Sequence, residues 1–530
     1  MASSRTPARP WSSEDMEQAA EGTRTMSESR GPACPVHVST TSYLRNANQR
    51  LGPCASLTVW WDEPEDQDAE NPINWSATKK WANILTISAT SFLVHLLTLS
   101  RPLVSSVVAP AAELISADFH TSSTTFPTFV LSIFVLGFAF GPLLLAPLSE
   151  LYGRVIVYHA TNVLFVVFTV LCALSQNEAT LLSFRFLSGF AGVATISIGP
   201  ASIADMMPRE KRGKAVSLWA VGTVVGPMIG PVIGGYVAEV LGWRWIFWII
   251  SITAGLITIM ALAVLRETYP PVLLERKASR LRKDTGNPNY RSKLAPDLSF
   301  QALVIRSILR PCKMLILCPI VTACCVYVCV LYSIMYIFFS TFSIIFKEAY
   351  GFSTFASGLV FIACGLGTLS GLVYLGYFSD KTIKKRAGTG RRITPEDRLP
   401  FLVTIPGGLS FSLGIFLYGW GVEKHLHWMI PQVGTAMTGF GYILIFTAIQ
   451  TYLLDAFEHH AASVNGANAA LRGLAGALIP LSGLNMYKAL GWGWGNSLLA
   501  FVALALTPLL WVFAVYGARI RAARLFRYKF

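Results

Sequence analysis

The feature that most constrains this 530-residue chain is a series of apolar runs about twenty residues long, broken by short polar stretches. Wound as a helix, such a run crosses a bilayer core of about 30 Å. Twelve runs are legible: 82–104, 125–147, 155–174, 179–202, 214–237, 244–265, 316–346, 354–378, 399–420, 428–452, 462–487 and 495–517. Only 14% of residues are charged, against about 25% in a soluble domain. In lipid a spanning segment must satisfy its own backbone, which a helix does. The pattern predicts an all-α membrane protein of twelve transmembrane helices in two six-helix halves. The expected organisation is a polar, mostly disordered tail over 1–80, one half over 81–265, a central loop over 266–313, the second half over 314–517 and a basic tail over 518–530. The first eighty residues lack the early apolar core of a signal peptide.

Charge orients the spans. If both termini are cytoplasmic, the inner loops and C-terminal tail hold 28 Lys and Arg residues and the outer loops and span edges hold 4. The positive-inside rule therefore predicts a multi-pass protein with both ends in the cytoplasm, at the plasma membrane or the vacuolar one. The net charge of +14 is accounted for by loops facing anionic lipid, with no nucleic acid implied. Within the central loop, ERKASRLRKDTGN is expected either as a short basic helix on the membrane surface or as a linker.

The nine cysteines show no metal-ligand spacing with histidine, so they are expected to pack as small hydrophobes, with no metal. There is no P-loop, HExxH, GxSxG or paired Cys-x-x-Cys, so neither an enzyme nor a cofactor is expected. Transport by such a chain would draw on a gradient rather than on ATP.

Ionisable residues inside spans are costly and mark function by default. Arg185 in LLSFRFLSGFAG and Arg472 in NGANAALRGLAG are the clearest, each needing a carboxylate, a dipole or water. At the end of span two, Glu150 and Arg154 form a second group, which Asp205 at the end of span four can join. Ser379-Asp380 repeats Ser149-Glu150 in the second half, so Asp380 belongs with this conformational latch. His95 in span one would titrate near neutral pH if unperturbed. Tyr332 and Tyr336 share a face of span seven; with Gln450, Asn465, Asn468 and Arg472 they are candidates for an amphiphilic substrate cavity. The alternative for each is packing or an ordinary interfacial ion pair.

Span five carries GTVVGPMIGPVIGG over 222–235. Gly222, Gly226, Gly230 and Gly234 recur every four residues and make a stripe without side chains, with Gly235 beside it. Pro227 and Pro231 free two carbonyls, so the helix is expected to bend there. The glycine-rich face of span eight, Gly358 to Gly371, is the expected partner across the two halves.

These motifs, in this order, resemble the major facilitator superfamily, and more narrowly its fungal twelve-span drug:proton antiporters. GPLLLAPLSELYGR is similar to the superfamily's loop 2–3 motif, with Glu150 for the usual Asp and Arg154 for its Arg. Leu151 and Val155 stand where basic residues are usual. RFLSGFAG resembles the span-four motif whose arginine, here Arg185, is implicated in proton coupling; GPMIGPVIGG resembles the antiporter motif. ENPINWSATKKW, ETYPPVLLERKASRLRKDTGN and YLLDAFEHHAASVNGANAALR resemble the group's approach to span one, its central loop and its span ten-to-eleven turn. The resemblance implies a monomeric exporter of small amphiphilic compounds in exchange for protons. An importer or uniporter of a metabolite on the same fold is the alternative.

Overall fold

A computed structural model describes residues 36–38, 57–97, 108, 111–121, 123, 125–294, 300–388, 394–457 and 461–522. The chain divides into two units, residues 1–62 with 274–293 and residues 63–273 with 294–530.

The larger unit is the membrane-spanning one. Span one is Ala77–Leu97, two is Phe126–Tyr152, three is Arg154–Ala173 and four is Glu178–Gly192 continued by Ala194–Met206. Span five is Arg209–Val240 and six is Trp243–Val264. After a helix at Phe300–Leu317, span seven is Pro319–Tyr350, and eight is Thr354–Leu359 continued by Phe361–Gly388. Nine is Phe401–Glu423, ten is Met429–Ala456, eleven is Ala461–Leu478 and twelve is Gly483–Leu506 continued by Pro508–Ala522. Among the described residues, nine stretches are by themselves long and apolar enough to cross a membrane, and one of these, Ser463–Ile520, holds spans eleven and twelve. Spans one and five complete the twelve. This membrane-spanning unit is all-α, with two six-helix halves.

Span six shows why such sequences are stable in lipid. Ile252, Leu256 and Ile259 lie exposed on one face, where hydrocarbon replaces water. Phe247, Ser251, Ala254 and Thr258 are buried on the other. The Ser251 and Thr258 hydroxyls donate to the carbonyls of Phe247 and Ala254, at 2.8 and 2.7 Å, so no buried hydroxyl is left over there.

The halves meet closely toward the end away from the basic loops. A Cβ on Gly358 of span eight would collide with the Pro231 carbonyl of span five, and one on Gly365 would lie 2.6 Å from Met228 Cβ. A Cβ on Gly235 would lie 2.8 Å from the Thr354 carbonyl oxygen. The Tyr236 and Phe355 rings meet edge to face at 5.9 Å, and the Phe355 amide donates to Glu239 at 2.7 Å. Nearer mid-span, a Cβ on Gly473 of span eleven would be 2.7 Å from Ala139 Cβ of span two.

The smaller unit holds short ordered elements from the tail and the central loop. Leu57–Val59 (β2) lies between Val36–Val38 (β1) and Tyr290–Ser292 (β3) in a parallel sheet, with Leu57 opposite Tyr290. From Leu274 onward the helix Pro270–Thr285 belongs to this unit, and its Ala278 and Leu281 share a small core with Leu57, Val59 and Tyr290. The apolar side of the central-loop helix therefore faces these strands, and Lys277 pairs with Asp62 at 3.1 Å.

Candidate functional site

Spans two, four, seven and eleven enclose a cavity of about 230 Å³ between the halves. It reaches from Phe138, Tyr332 and Arg472 near mid-span to Glu150 and Arg154 at the basic end. Gly473, which meets Ala139 of span two, is part of its wall, and the span five–span eight contacts are not. Its walls are mixed: Pro142 and Ile196 are apolar, while Ser197, Asn465, Glu150 and Arg472 are polar or charged.

Arg472 is the charge in the inner wall. It is 5% exposed, and among the described residues it donates no hydrogen bond; its Nε is enclosed without a partner. Its guanidinium carbon lies 5.0 Å from the Tyr332 ring centroid and 5.2 Å from that of Phe446. The aromatic faces attract the cation by up to about 2 kcal/mol, less than the several kcal/mol that burial costs an ion. Tyr332 is held in turn by Tyr336, with ring centroids 5.0 Å apart, and by Gly476, where a side chain would fill the ring's place. One turn or two from Arg472, a chain of amides joins spans ten and eleven. Gln450 donates to Asn465 at 2.6 Å and accepts from Asn468 at 2.8 Å.

At the basic end, Gly153 alone turns the chain from span two into span three, with φ 100° and ψ 159°. Only glycine adopts that conformation readily, and a Cβ there would also collide with the Glu267 carboxylate. Glu267 lies just past span six. It accepts from the amides of Arg154 at 2.9 Å, Val155 at 3.2 Å, and Thr268 and Tyr269 at 3.0 Å each. A carboxylate thus caps the N-terminus of span three, where the helix dipole favours negative charge. The Arg154 side chain has partners of its own: it donates to Ser149 at 2.6 Å and to Asp205 at 3.4 Å, and its guanidinium lies 4.4 Å from the Tyr269 ring. Burial, and then the Glu150 carboxylate, hold the Tyr269 phenol above its ordinary range.

Arg185 lies off the cavity, inside the first half. Spans two and four approach so closely that a Cβ on Gly137 would meet the Phe186 carbonyl, and one on Gly189 the Phe134 carbonyl. Arg185, one turn before Gly189, is thereby set between the Phe134 and Phe247 rings at 5.1 and 5.6 Å. Its Nε donates to the Val130 carbonyl at 3.3 Å, and its second terminal nitrogen has no partner among the described residues.

The structure thus brings together Glu150, Arg154, Tyr332, Asn465 and Arg472 on one cavity, with Gln450 and Asn468 bonded behind Asn465 and Tyr336 behind Tyr332. Asp205 pairs with Arg154; Glu150 makes no ion pair among the described residues. Gly226, Gly230, Pro231, Gly234 and Gly235 are buried in span five, and the span also contains Gly222 and Pro227. The side chains of His95 and Asp380 lie outside the described residues. Glu267 and Glu239 were missed: neither sits in a span's apolar core, and their partners are distant in sequence.

Residues 94–480 match the Major Facilitator Superfamily. The chain is 44% identical over 471 residues to "Efflux pump radE" of Floropilus chiversii, covering 89% of this chain and 86% of that one. It is 44% identical over 472 residues to "MFS-type transporter penM" of Penicillium rubens, covering 89% and 91%. Among solved structures it resembles the xylose transporter XylE from E. coli in a partially occluded inward open conformation, with a TM-score of 0.60 at 17% identity over 82% of this chain and 98% of that one. A bacterial homologue of the lysosomal transporter Spinster, inward-facing and unoccupied, gives 0.57 at 13% identity over 84% and 98%. At these identities the two structures speak to the fold alone.

Proposed function

The chain belongs to the major facilitator superfamily, and from that premise we propose that it exports small amphiphilic organic compounds in exchange for protons, by alternating access. It is a transporter and not an enzyme. The observation that carries the reading is the cavity between the halves, whose wall combines Tyr332, Asn465 and Arg472 with apolar span-two residues. Such a wall suits a ligand with an apolar body and a few polar groups. The efflux name of a relative at 44% identity supports the outward direction. Because one chain supplies every wall of the cavity, a monomer suffices. The basic loops favour an orientation with both termini and the cavity mouth on the cytoplasmic side, and export from the cell suits the plasma membrane.

In this reading Arg185 holds a positive potential inside the first half, next to spans that must shift as the halves rock. The Arg154–Asp205–Glu267 cluster favours one conformation, and its loosening favours the other. The test is expression in a pump-deficient yeast challenged with toxins, polyamines and organic acids. Resistance with lower cell accumulation is expected, lost with a protonophore and lost in Arg185→Ala. Efflux that persists in Arg185→Ala with the gradient collapsed would refute the coupling.

A further inference from the structure

The geometry points to a substrate class: the cavity takes organic acids, amphiphiles whose ionised oxygens dock on Arg472 while the apolar body lies along Tyr332 and Phe138. This rests on the cavity being the transport site. Two arginines line the cavity, and they differ in one respect that decides their roles. Arg154 is satisfied by the protein itself, through Ser149, Asp205 and the face of Tyr269. Arg472 is more than nine-tenths buried, yet meets only the faces of Tyr332 and Phe446 and donates no hydrogen bond among the described residues. A guanidinium cannot shed its charge, so burial leaves it in need of an anionic partner. Its planar fork of donors matches the two oxygens of a carboxylate, or a phenolate beside a carbonyl.

Among the described residues no carboxylate fills this need. Asp205 is held by Arg154, and Glu150 lies at the other end of the cavity. Ala139 touches Gly473, the neighbour of Arg472, and Glu150 follows eleven residues later on the same helix. At 1.5 Å per residue that is about 16 Å along the axis. Glu150 and Arg154 offset one another at the mouth, and Arg472 is the one charge among the residues of the inner wall, so an acid seats with its charged end inward.

The experiment uses the full chain in discs of neutral lipid, with empty discs as the blank. Calorimetric titrations compare 4-butylbenzoic acid, its methyl ester and 4-butylbenzylamine at pH 7.5. The acid is expected to bind at least about tenfold tighter than the ester, a difference of about 1.4 kcal/mol, and the amine weakest. In Arg472→Gln the acid should fall to the level of the ester, and Arg472→Lys should keep part of the preference. Should Arg472→Gln not fold, the wild type alone decides: the acid's advantage must fade as pH falls through the ligand's own carboxyl pKa, while the ester stays constant. Equal binding of acid and ester, preference for the amine, binding no greater than to empty discs, or an acid preference kept in folded Arg472→Gln overturns the inference. Failure here is separable from failure of the exporter reading. An acid-selective cavity in a chain that moves no protons keeps this inference and loses that reading, and proton-driven export without acid preference does the reverse.

Discussion

Glu267 shows how much one side chain can organise. Its two oxygens accept from four backbone amides, two of which open span three. Charge-assisted bonds of this kind are the strong ones, and each enclosed donor left unpaired costs about 1–3 kcal/mol. Glu267→Ala is therefore expected to destabilise the protein by about 2–4 kcal/mol, seen as a lower melting temperature in detergent. An unchanged melting curve would show that water replaces the carboxylate at no cost. Glu267 was hidden in the sequence because its partner Arg154 is 113 residues away and no periodicity links them. Arg472 was legible, because a lone arginine in an apolar run announces itself. The sequence could not say that Arg154 would be satisfied and Arg472 not, since that depends on which neighbours fold brings near.

At the scale of elements, the contact of spans five and eight is set by absent side chains. Gly358 faces the backbone carbonyl of Pro231, which has nowhere to go, whereas Gly376 on the same span has nothing within 4 Å of where its Cβ would be. Gly376→Ala should be neutral or stabilise the helix by up to about 1 kcal/mol, while Gly358→Ala should lower the melting temperature and the transport rate. Equal effects of the two substitutions would mean that the close approach is not required. The face of this contact was not legible, since Met228, Pro231 and Gly235, which meet span eight, lie on the side of the helix away from Gly222, Gly226, Gly230 and Gly234; that two glycine-rich spans pair could be anticipated. The strand at Leu57–Val59 could not. Three residues carry too little pattern to be told from a polar tail, and the strand exists because Tyr290–Ser292 and the central-loop helix give it a surface.

For the whole molecule, the proposed alternating access makes the closed end and the cavity one of two states. Glu239 spans the halves at the closed end by accepting from the Phe355 amide at the start of span eight. Glu239→Gln removes the charge that the helix N-terminus favours. Residues 351–358 should then exchange amide hydrogens faster, as the molecule spends more time open at that end; unchanged exchange would remove Glu239 from the gate. The twelve spans were legible because length and hydropathy belong to each segment separately, and their relative tilt was not, because it is a property of contacts between halves.

The central claim is exchange of a proton for an amphiphilic compound, and substrate-evoked proton movement in proteoliposomes tests it most directly. Purified protein is reconstituted with a pH-reporting dye in the lumen, and a compound that gave resistance in yeast is added on one side. The account predicts a proton flux that opposes the compound, saturates with its concentration, and is absent in Arg185→Ala and in protein-free vesicles. Movement of the compound with no proton flux, at the same rate with and without a pH gradient, would contradict it.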